Sequence, residues 1–348
     1  MKLALDAMGG DFAPERPVAA AASTLQQFPE ITELILVGPE DRIQSELKKN
    51  HLENHPKIRV HHCSEVIEMG EGAVEAVRRK KDNSISRTVE LVKEGKADAA
   101  VSAGHTGAMV TASSLKLRTL PGVVRPGIAS VMPTETNRYV LIDAGASVDA
   151  KPIHLLQHAI MGSIFSSHVL KIDKPRVGLL SVGTEEAKGN ELTKESFKLL
   201  SKAPIHFVGN IEGHDLYKRP VDVVVCDGFV GNIVLKTSES LADAVFSWLK
   251  REITSSPIRT LGALLAKGAF KTIKERTSYE SIGGSLLLGV NGISVIAHGS
   301  STVLALTNAM KVAVQAIKHQ VNPDIISTIE EYNQSQSTAL IEEQEPTP

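Results

Sequence analysis

The sequence predicts an α/β fold of three layers (α/β/α), with helices on both faces of a mostly parallel sheet. Short β-branched runs alternate with longer amphipathic stretches, the pattern of βαβ units. The runs are apolar at nearly every position, as strands covered on both faces are. Glycines and small polar residues gather directly after them, where open α/β sheets bind their ligands. With 348 residues, 42% of them apolar and 22% charged, the chain is long enough for a sizeable core.

The predicted strands are KLALD (2–6), ELILVG (33–38), KIRVHH (57–62), ADAAVS (97–102), GIASVM (127–132), RYVLID (138–143), RVGLLSVG (176–183), IHFVG (205–209) and VDVVVCDG (221–228). Helical stretches between them include PVAAAASTLQQF, RTVELVKEG, PIHLLQHAIMGSIFSSHVL and NELTKESFKLLS. No internal repeat is evident. Residues 1–335 read as a single catalytic unit and the polar, acidic residues 336–348 as a frayed tail.

A net charge of −2 gives no basic field for nucleic acid. The two cysteines, Cys63 and Cys226, have no metal-like or redox-like spacing, which fits a reducing cytoplasm. An aspartate at position 6 rules out a signal peptide, and no apolar run reaches the ~20 residues that span a bilayer. Any membrane contact is therefore expected to be peripheral. No dinucleotide fingerprint follows a strand (MGEGAVEA breaks at its last position), and neither a P-loop nor a G-x-S-x-G elbow is present. His-x4-Asp occurs twice, at His168–Asp173 and His319–Asp324, both at apparent helix ends away from the glycine-rich turns.

Six strands end alike: LALDAMGGD, AVSAGHTGA, VLIDAGASVD, GLLSVGTEEAKGN, FVGNIEGHD and VVVCDGFVGN. Read together they predict one polar, glycine-walled cleft on one edge of the sheet. Ser102, Thr106, Thr184, Asn190, Asn210 and Asn232 supply neutral donors there, and Lys188 and Lys236 add positive charge. Such a set suits phosphate, or the oxyanion that forms when a carbonyl is attacked. Asp6, Asp11, Asp143, Asp149 and Asp227 sit among these donors; orientation or proton transfer fits them better than a metal, since no ligand spacing stands out.

Two further stretches concern partners. Arg78, Arg79, Lys80 and Lys81 stand in a row before a helix cap at Asn83 or Ser84, a solvated face or a dock for an acidic protein. In residues 258–274, Ile258, Leu261, Leu264, Leu265, Ala269 and Ile273 cluster on one helical side and Lys267, Lys271 and Lys274 on the other. No acid occurs between Glu252 and Glu275, the pattern of a helix lying in a membrane interface. Packing on a second subunit is the competing reading.

At this point the motifs coincide with a known family. From residue 3 to about residue 320 the chain resembles the bacterial phosphate acyltransferases, the acyl-ACP:phosphate transacylases of phospholipid synthesis. The resemblance is carried by ALDAMGGD, VRRKKDNS, VSAGHTGA, LIDAGASVD, HLLQHAIMGS, RVGLLSVGTEEAKGNELTK, FVGNIEGHD, VVVCDGFVGNIVLKTSES and GGSLLLGVNG…AHGSS. The family usually has Asn where His105 and Ser147 stand; both replacements can still hydrogen-bond. The resemblance implies transfer of a long-chain acyl group from acyl carrier protein (ACP) to inorganic phosphate, with no cofactor. It also implies a fold like the phosphotransacetylases and isopropylmalate dehydrogenases, a homodimer, a peripheral membrane habit, and hand-off to a glycerol-3-phosphate acyltransferase.

On that reading Lys188 and Lys236 meet phosphate or oxyanion charge. Ser102, His105, Thr106, Asn210 and Asn232 donate, with the backbone of Gly9, Gly10 and Gly228 close by. Asp227 or Asp143 orients these groups or takes a proton, Asp6 and Asp11 orient, and His298 is an acid for the departing thiolate. Arg78 to Lys81 dock the carrier. A cofactor-dependent dehydrogenase relative and a non-catalytic membrane scaffold are the rival readings; the first lacks the dinucleotide fingerprint, and the second leaves six strand ends idle.

Overall fold

The structure is a computed structural model describing residues 1–218, 221–277 and 283–342; of 274–277 and 336–342 only the backbone is described. The first half runs β1 (Lys2–Asp6), α1 (Glu15–Gln27), β2 (Glu33–Gly38), α2 (Glu40–Lys49), β3 (Ile58–His62), α3 (Ala73–Arg79), α4 (Ser84–Lys93), β4 (Ala99–Ser102) and α5 (Thr106–Lys116). Next come β5 (Gly127–Pro133), β6 (Arg138–Ile142), α6 (Pro152–Val169), β7 (Arg176–Leu180), α7 (Glu191–Leu200), β8 (His206–Ile211) and β9 (Val223–Val225). The chain continues through α8 (Gly228–Thr254), α9 (Pro257–Leu265), α10 (Lys267–Thr277), β10 (Ser285–Leu288), β11 (Ile293–Ile296), α11 (Val303–Lys318) and α12 (Val321–Glu342).

One eleven-stranded sheet runs through the molecule in the order β3-β2-β1-β4-β11-β10-β5-β6-β9-β7-β8. Alternation along each strand builds the layers. Leu3, Leu5, Val101, Val140, Ile142 and Val225 pack beneath α1, α6, α11 and α12. Ala100, Ile128, Leu141, Val224 and Leu287 face the other way, toward α3, α4, α5 and the start of α8. All nine predicted strands form. The hairpin β10–β11 was not among them, although it sits mid-sheet between β4 and β5. Its strands are four residues each, too short for periodicity to separate them from a buried helical segment. The tail expected from residue 336 begins instead as the last turns of α12, which runs to Glu342; residues 343–348 lie outside those described.

The polarity of the sheet reverses at β5–β6. β11 is parallel to β4, β10 is antiparallel to both β11 and β5, and β5 is antiparallel to β6. Strands β6, β9, β7 and β8 are mutually parallel and thus run opposite to β1 and β4. The six glycine-rich ends therefore do not share one edge. Those of β1 and β4 lie on one edge with the end of β11, and the other four lie on the opposite edge.

Candidate active site

On the first edge the expected ligand groups are largely turned inward. Asp6 is buried and accepts from Met8 N–H at 3.0 Å and from Ser102 Oγ at 2.7 Å. Burial raises its carboxyl above the ordinary 3.8, against these hydrogen bonds. Ser102 Oγ in turn accepts from Gly104 N–H at 3.0 Å, so its hydroxyl is committed. His105 caps α5: Nδ1 accepts from Ala108 N–H at 3.3 Å, which leaves the proton on Nε2, 3.0 Å from the Glu71 carbonyl. Both ring nitrogens are spent within the protein.

Gly9 and Gly10 close on backbone. A Cβ on Gly9 would lie 2.7 Å from Gly104 N, and one on Gly10 2.9 Å from Gly299 O, where φ is +102°. Asp11 N–H donates to Gly299 O at 2.8 Å. Ser102 and His105, expected as donors, are thus committed within the protein, Asp6 orients the Ser102 hydroxyl, and Gly9 and Gly10 are needed for loop-to-loop packing. Thr106, exposed in the first turn of α5, remains open. His298 is exposed just beyond β11, its Nδ1 2.8 Å from Ser300 Oγ.

The second edge is built differently. Asp143 follows β6 at 0% exposure, and its carboxylate accepts four backbone N–H groups, from Ile128, Gly145, Ala146 and Ser147, at 2.8–3.0 Å. So enclosed, it orients the 143–147 turn and has no access to a substrate proton. Asp227 follows β9 and caps α8, its Oδ1 accepting from Phe229 and Val230 N–H at 2.9 Å. Gly228 has no room for a side chain: its Cβ would meet Ser147 O at 2.7 Å and Asp143 Oδ2 at 2.8 Å. Asn232, one turn on, is half-buried beside Gly145, and Lys236, exposed, follows at i+4.

From β7 comes the loop of Lys188. Asn210, on the neighbouring β8, braces it by donating from Nδ2 to Glu185 O at 2.9 Å. Its Oδ1 and the Ser181 hydroxyl are buried with no hydrogen-bond partner, the kind of orphaned acceptor and donor that a polar ligand satisfies. Lys188 is exposed, and neither it nor Lys236 forms an ion pair among the described residues.

Helix α8 joins the two edges. It starts at Asp227 on the second and runs back over the sheet, as a connection following a strand must. At Glu239 it is within the field of His298, on the first. Burial raises the Glu239 carboxyl above its ordinary 4.5, while His298 and Lys236 pull it down. Asn232, Lys236, Glu239 and Asp243 thus form one polar stripe along α8. Glu239 was missed from the sequence, although its i+3 spacing from Lys236 was the available signal.

Elsewhere the basic run is divided. Arg78, Arg79 and Lys81 are exposed, but Lys80 is half-buried, 2.5 Å from Glu71 and 2.7 Å from the Val66 carbonyl. Arg79 also pairs with Glu71, at 2.9 Å. Lys80 therefore holds the 65–71 loop and is withdrawn from the docking row. Asn83 caps α4 as expected. Ile258, Leu261, Leu264 and Leu265 are exposed on α9, which buries none of its residues; Lys267 and Lys271 follow on α10, and the Lys274 side chain lies outside those described. Both cysteines are buried thiols, Cys63 pushed up to about 12 and Cys226 also raised, chiefly by desolvation.

Behind the second edge, His158 of α6 is fully buried, and neither ring nitrogen has a hydrogen-bond partner. Burial holds its pKa below the ordinary 6.5; the Asp143 charge and the Arg125 and Pro126 carbonyls, which fall short of hydrogen-bond geometry, oppose this. As pH falls, the unfolded chain takes up this proton first. The stability contributed by the neutral ring is therefore full above about pH 7 and is lost as pH drops through the unfolded value. Urea unfolding midpoints should fall between pH 7.5 and 5.5, and His158→Leu should flatten that slope; an unchanged slope would mean other groups set the acid limb.

Known proteins fit this geometry. The family described as fatty acid synthesis protein matches residues 1–323. A phosphate acyltransferase of Desulfitobacterium hafniense is 50% identical over 319 residues, 91% of this chain and 94% of that protein. One from Pelotomaculum thermopropionicum is 48% identical over 330 residues, 95% of each. Among solved structures, a phosphotransacetylase from Streptococcus pyogenes superposes with a TM-score of 0.60 at 20% identity, covering 93% of this chain and 94% of that one. The EutD phosphotransacetylase from Staphylococcus aureus gives 0.56 at 17%, covering 91% and 93%. These two bear on the fold alone. At half-identity over nine-tenths of its length, the chain belongs to the family of phosphate acyltransferases and is an acyltransferase.

Proposed function

We propose that the protein transfers a long-chain acyl group from acyl-ACP to inorganic phosphate, giving the acyl phosphate used in the first acylation of glycerol 3-phosphate. The observation that carries this reading is the second edge. Lys188 comes from the loop after β7, and Asn232 and Lys236 from the first turns of α8 after the neighbouring β9; the buried, unpartnered atoms of Ser181 and Asn210 belong to the β7 and β8 ends of the same edge. Hydrogen phosphate is already nucleophilic at neutral pH, so no covalent enzyme intermediate is required. A phosphate oxygen attacks the thioester carbonyl, the C–O bond forms, the C–S bond breaks, and the thiolate leaves and takes up a proton. Lys188 and Lys236 meet the phosphate charge and the oxyanion, and the Asn232 amide holds it in line. Asp227 caps the start of α8, and Asp143 fixes the turn beneath it. His298 stands on the other edge, near Glu239, so the proton that the thiolate takes up is the one hydrogen phosphate gives up as the acyl phosphate forms. Thr106 is a second donor on that side.

The carrier docks on Arg78, Arg79 and Lys81, whose charge complements an acidic partner. A homodimer follows from the far half of α8. The helix face that packs on the sheet through Val230, Val234 and Leu235 continues past the body, where Leu241, Val245 and Trp248 are exposed. A second copy covers that face. The arm formed by α9 and α10 rests on the membrane from the cytoplasmic side through Ile258, Leu261, Leu264 and Leu265, with its lysines toward anionic headgroups. No helix among the described residues is long and apolar enough to cross a bilayer.

Incubating the protein with palmitoyl-ACP and labelled phosphate should yield phosphate-dependent acyl phosphate; no product from folded protein would sink this reading. Changing Lys267 and Lys271 to Glu should weaken binding to anionic vesicles by at least about tenfold and spare turnover in solution. Unchanged vesicle binding would place the arm against the second copy instead.

A further inference from the structure

Four positions that build the second edge are each followed by an exposed apolar residue. Ser147 precedes Val148, Ser181 precedes Val182, Gly228 precedes Phe229 and Asn232 precedes Ile233, and the four are 68%, 80%, 59% and 49% exposed. They follow the ends of three adjacent strands, β6, β9 and β7, and so lie along one stretch of the same edge. The loops are tied together: Gly228 N–H donates to Ser147 O at 2.9 Å, and Gly145 lies against the Asn232 side chain. We infer that Val148, Val182, Phe229 and Ile233 form an apolar lip on which the acyl chain of the donor rests as it leaves the polar crevice, and that this lip sets the chain-length preference.

The chemistry of the reaction requires such a surface. In an acyl donor the alkyl chain begins at the carbon next to the one attacked. Whatever lies just outside the groups holding phosphate and oxyanion must therefore meet methylenes. Exposed apolar side chains immediately beside a ring of polar ones match that demand and otherwise cost solubility.

The helical geometry separates this lip from the face assigned to a second copy. At 100° per residue, Phe229 and Ile233 lie about 50–90° from the centre of the Asn232–Lys236–Glu239–Asp243 stripe. Leu241, Val245 and Trp248 lie about 150–170° from it, on the continuation of the sheet-packing face. The lip thus adjoins the catalytic stripe, while the distal apolar face turns away.

The inference rests on the acyl-transfer reading above, and its test separates the two. The 348-residue chain is assayed with butyryl-ACP and palmitoyl-ACP at fixed phosphate, alongside Phe229→Ser, Val182→Ser and the double variant. The palmitoyl-to-butyryl ratio of kcat/KM is expected to fall about tenfold in the double variant, because methylene burial is what the serines remove. A ratio within about twofold of wild type would overturn the lip. So would a change in oligomeric state by light scattering with the ratio unmoved, which would assign these residues to the subunit contact. If the serine variants fold poorly, Val148→Phe decides alone: added apolar surface should raise the ratio, and an unchanged ratio overturns the proposal. Absence of acyl phosphate from both donors with the wild-type protein would instead overturn the reaction itself, and the lip with it.

Discussion

Lys188→Ala is expected to lower kcat/KM for phosphate by about 10²- to 10³-fold, and Lys236→Ala by a similar factor, with little change in melting temperature. The reacting phosphate is dianionic and the tetrahedral intermediate adds an oxyanion, so charge accumulates where few groups can meet it. Both lysines are exposed at their charged ends, with only the Lys188 stem lying over Gly183, so a catalytic loss should far exceed any folding one. The loop of Lys188 is fixed on either side, by Asn210 donating to Glu185 and by Asn190 capping α7 through Thr193 N–H at 2.9 Å. A lysine held so has little freedom to lose on binding, so its removal should appear in turnover as well as in phosphate KM. Arginine at 188 should restore part of the rate. Near-wild-type turnover by both alanine variants at saturating phosphate would remove the electrostatic assignment.

Gly231→Ala should be the most damaging single-methyl change on α8, destabilising by about 3–5 kcal/mol. Its Cβ would overlap the Asp143 carbonyl oxygen and stand 3.0 Å from Cys226 Sγ. Both neighbours sit in the buried turn that supports the site, so the helix must lift to make room. That displacement carries Asn232 and Lys236 with it, and activity should fall further than the melting curve alone accounts for. Gly262→Ala on α9 is the matched control. Nothing lies within 4 Å of its Cβ, so the change should be neutral or stabilise by about 0.5–1 kcal/mol. A Gly231→Ala protein melting within about 2 °C of wild type would mean the helix tolerates the shift.

The architecture was legible because near-continuous apolar runs such as ELILVG and VDVVVCDG, bounded by turn residues, leave few alternatives, and both proved to be strands. Strand direction was not legible. A run of valines is the same read either way, and the inversion falls between GIASVM and RYVLID, which pair antiparallel. Composition identified the polar turns correctly but could not say which way their groups face. Asp6, Ser102 and His105 carry the right chemistry for a ligand and spend it on one another and on nearby backbone. Lys188, Asn232 and Lys236 do not, and only coordinates separate the two cases. Lys80 makes the same point, since its place in a row of four cations conceals a bond to Glu71. Glu239 was overlooked because it ends no strand; its role exists only once α8 is seen to cross from one edge to the other.

That crossing helix is also a lever. Its 27 residues make a rod of about 40 Å with Asn232 and Lys236 near the root and the arm at the far end. Tilting a rigid rod so that its tip moves 3 Å turns it by about 4°, which shifts a side chain about 12 Å from the pivot by roughly 0.9 Å. Displacements of that size are costly to positioned chemistry. Whatever steadies the tip therefore steadies Asn232 and Lys236, whose stillness is set as much by what the distant end touches as by the turn at its base.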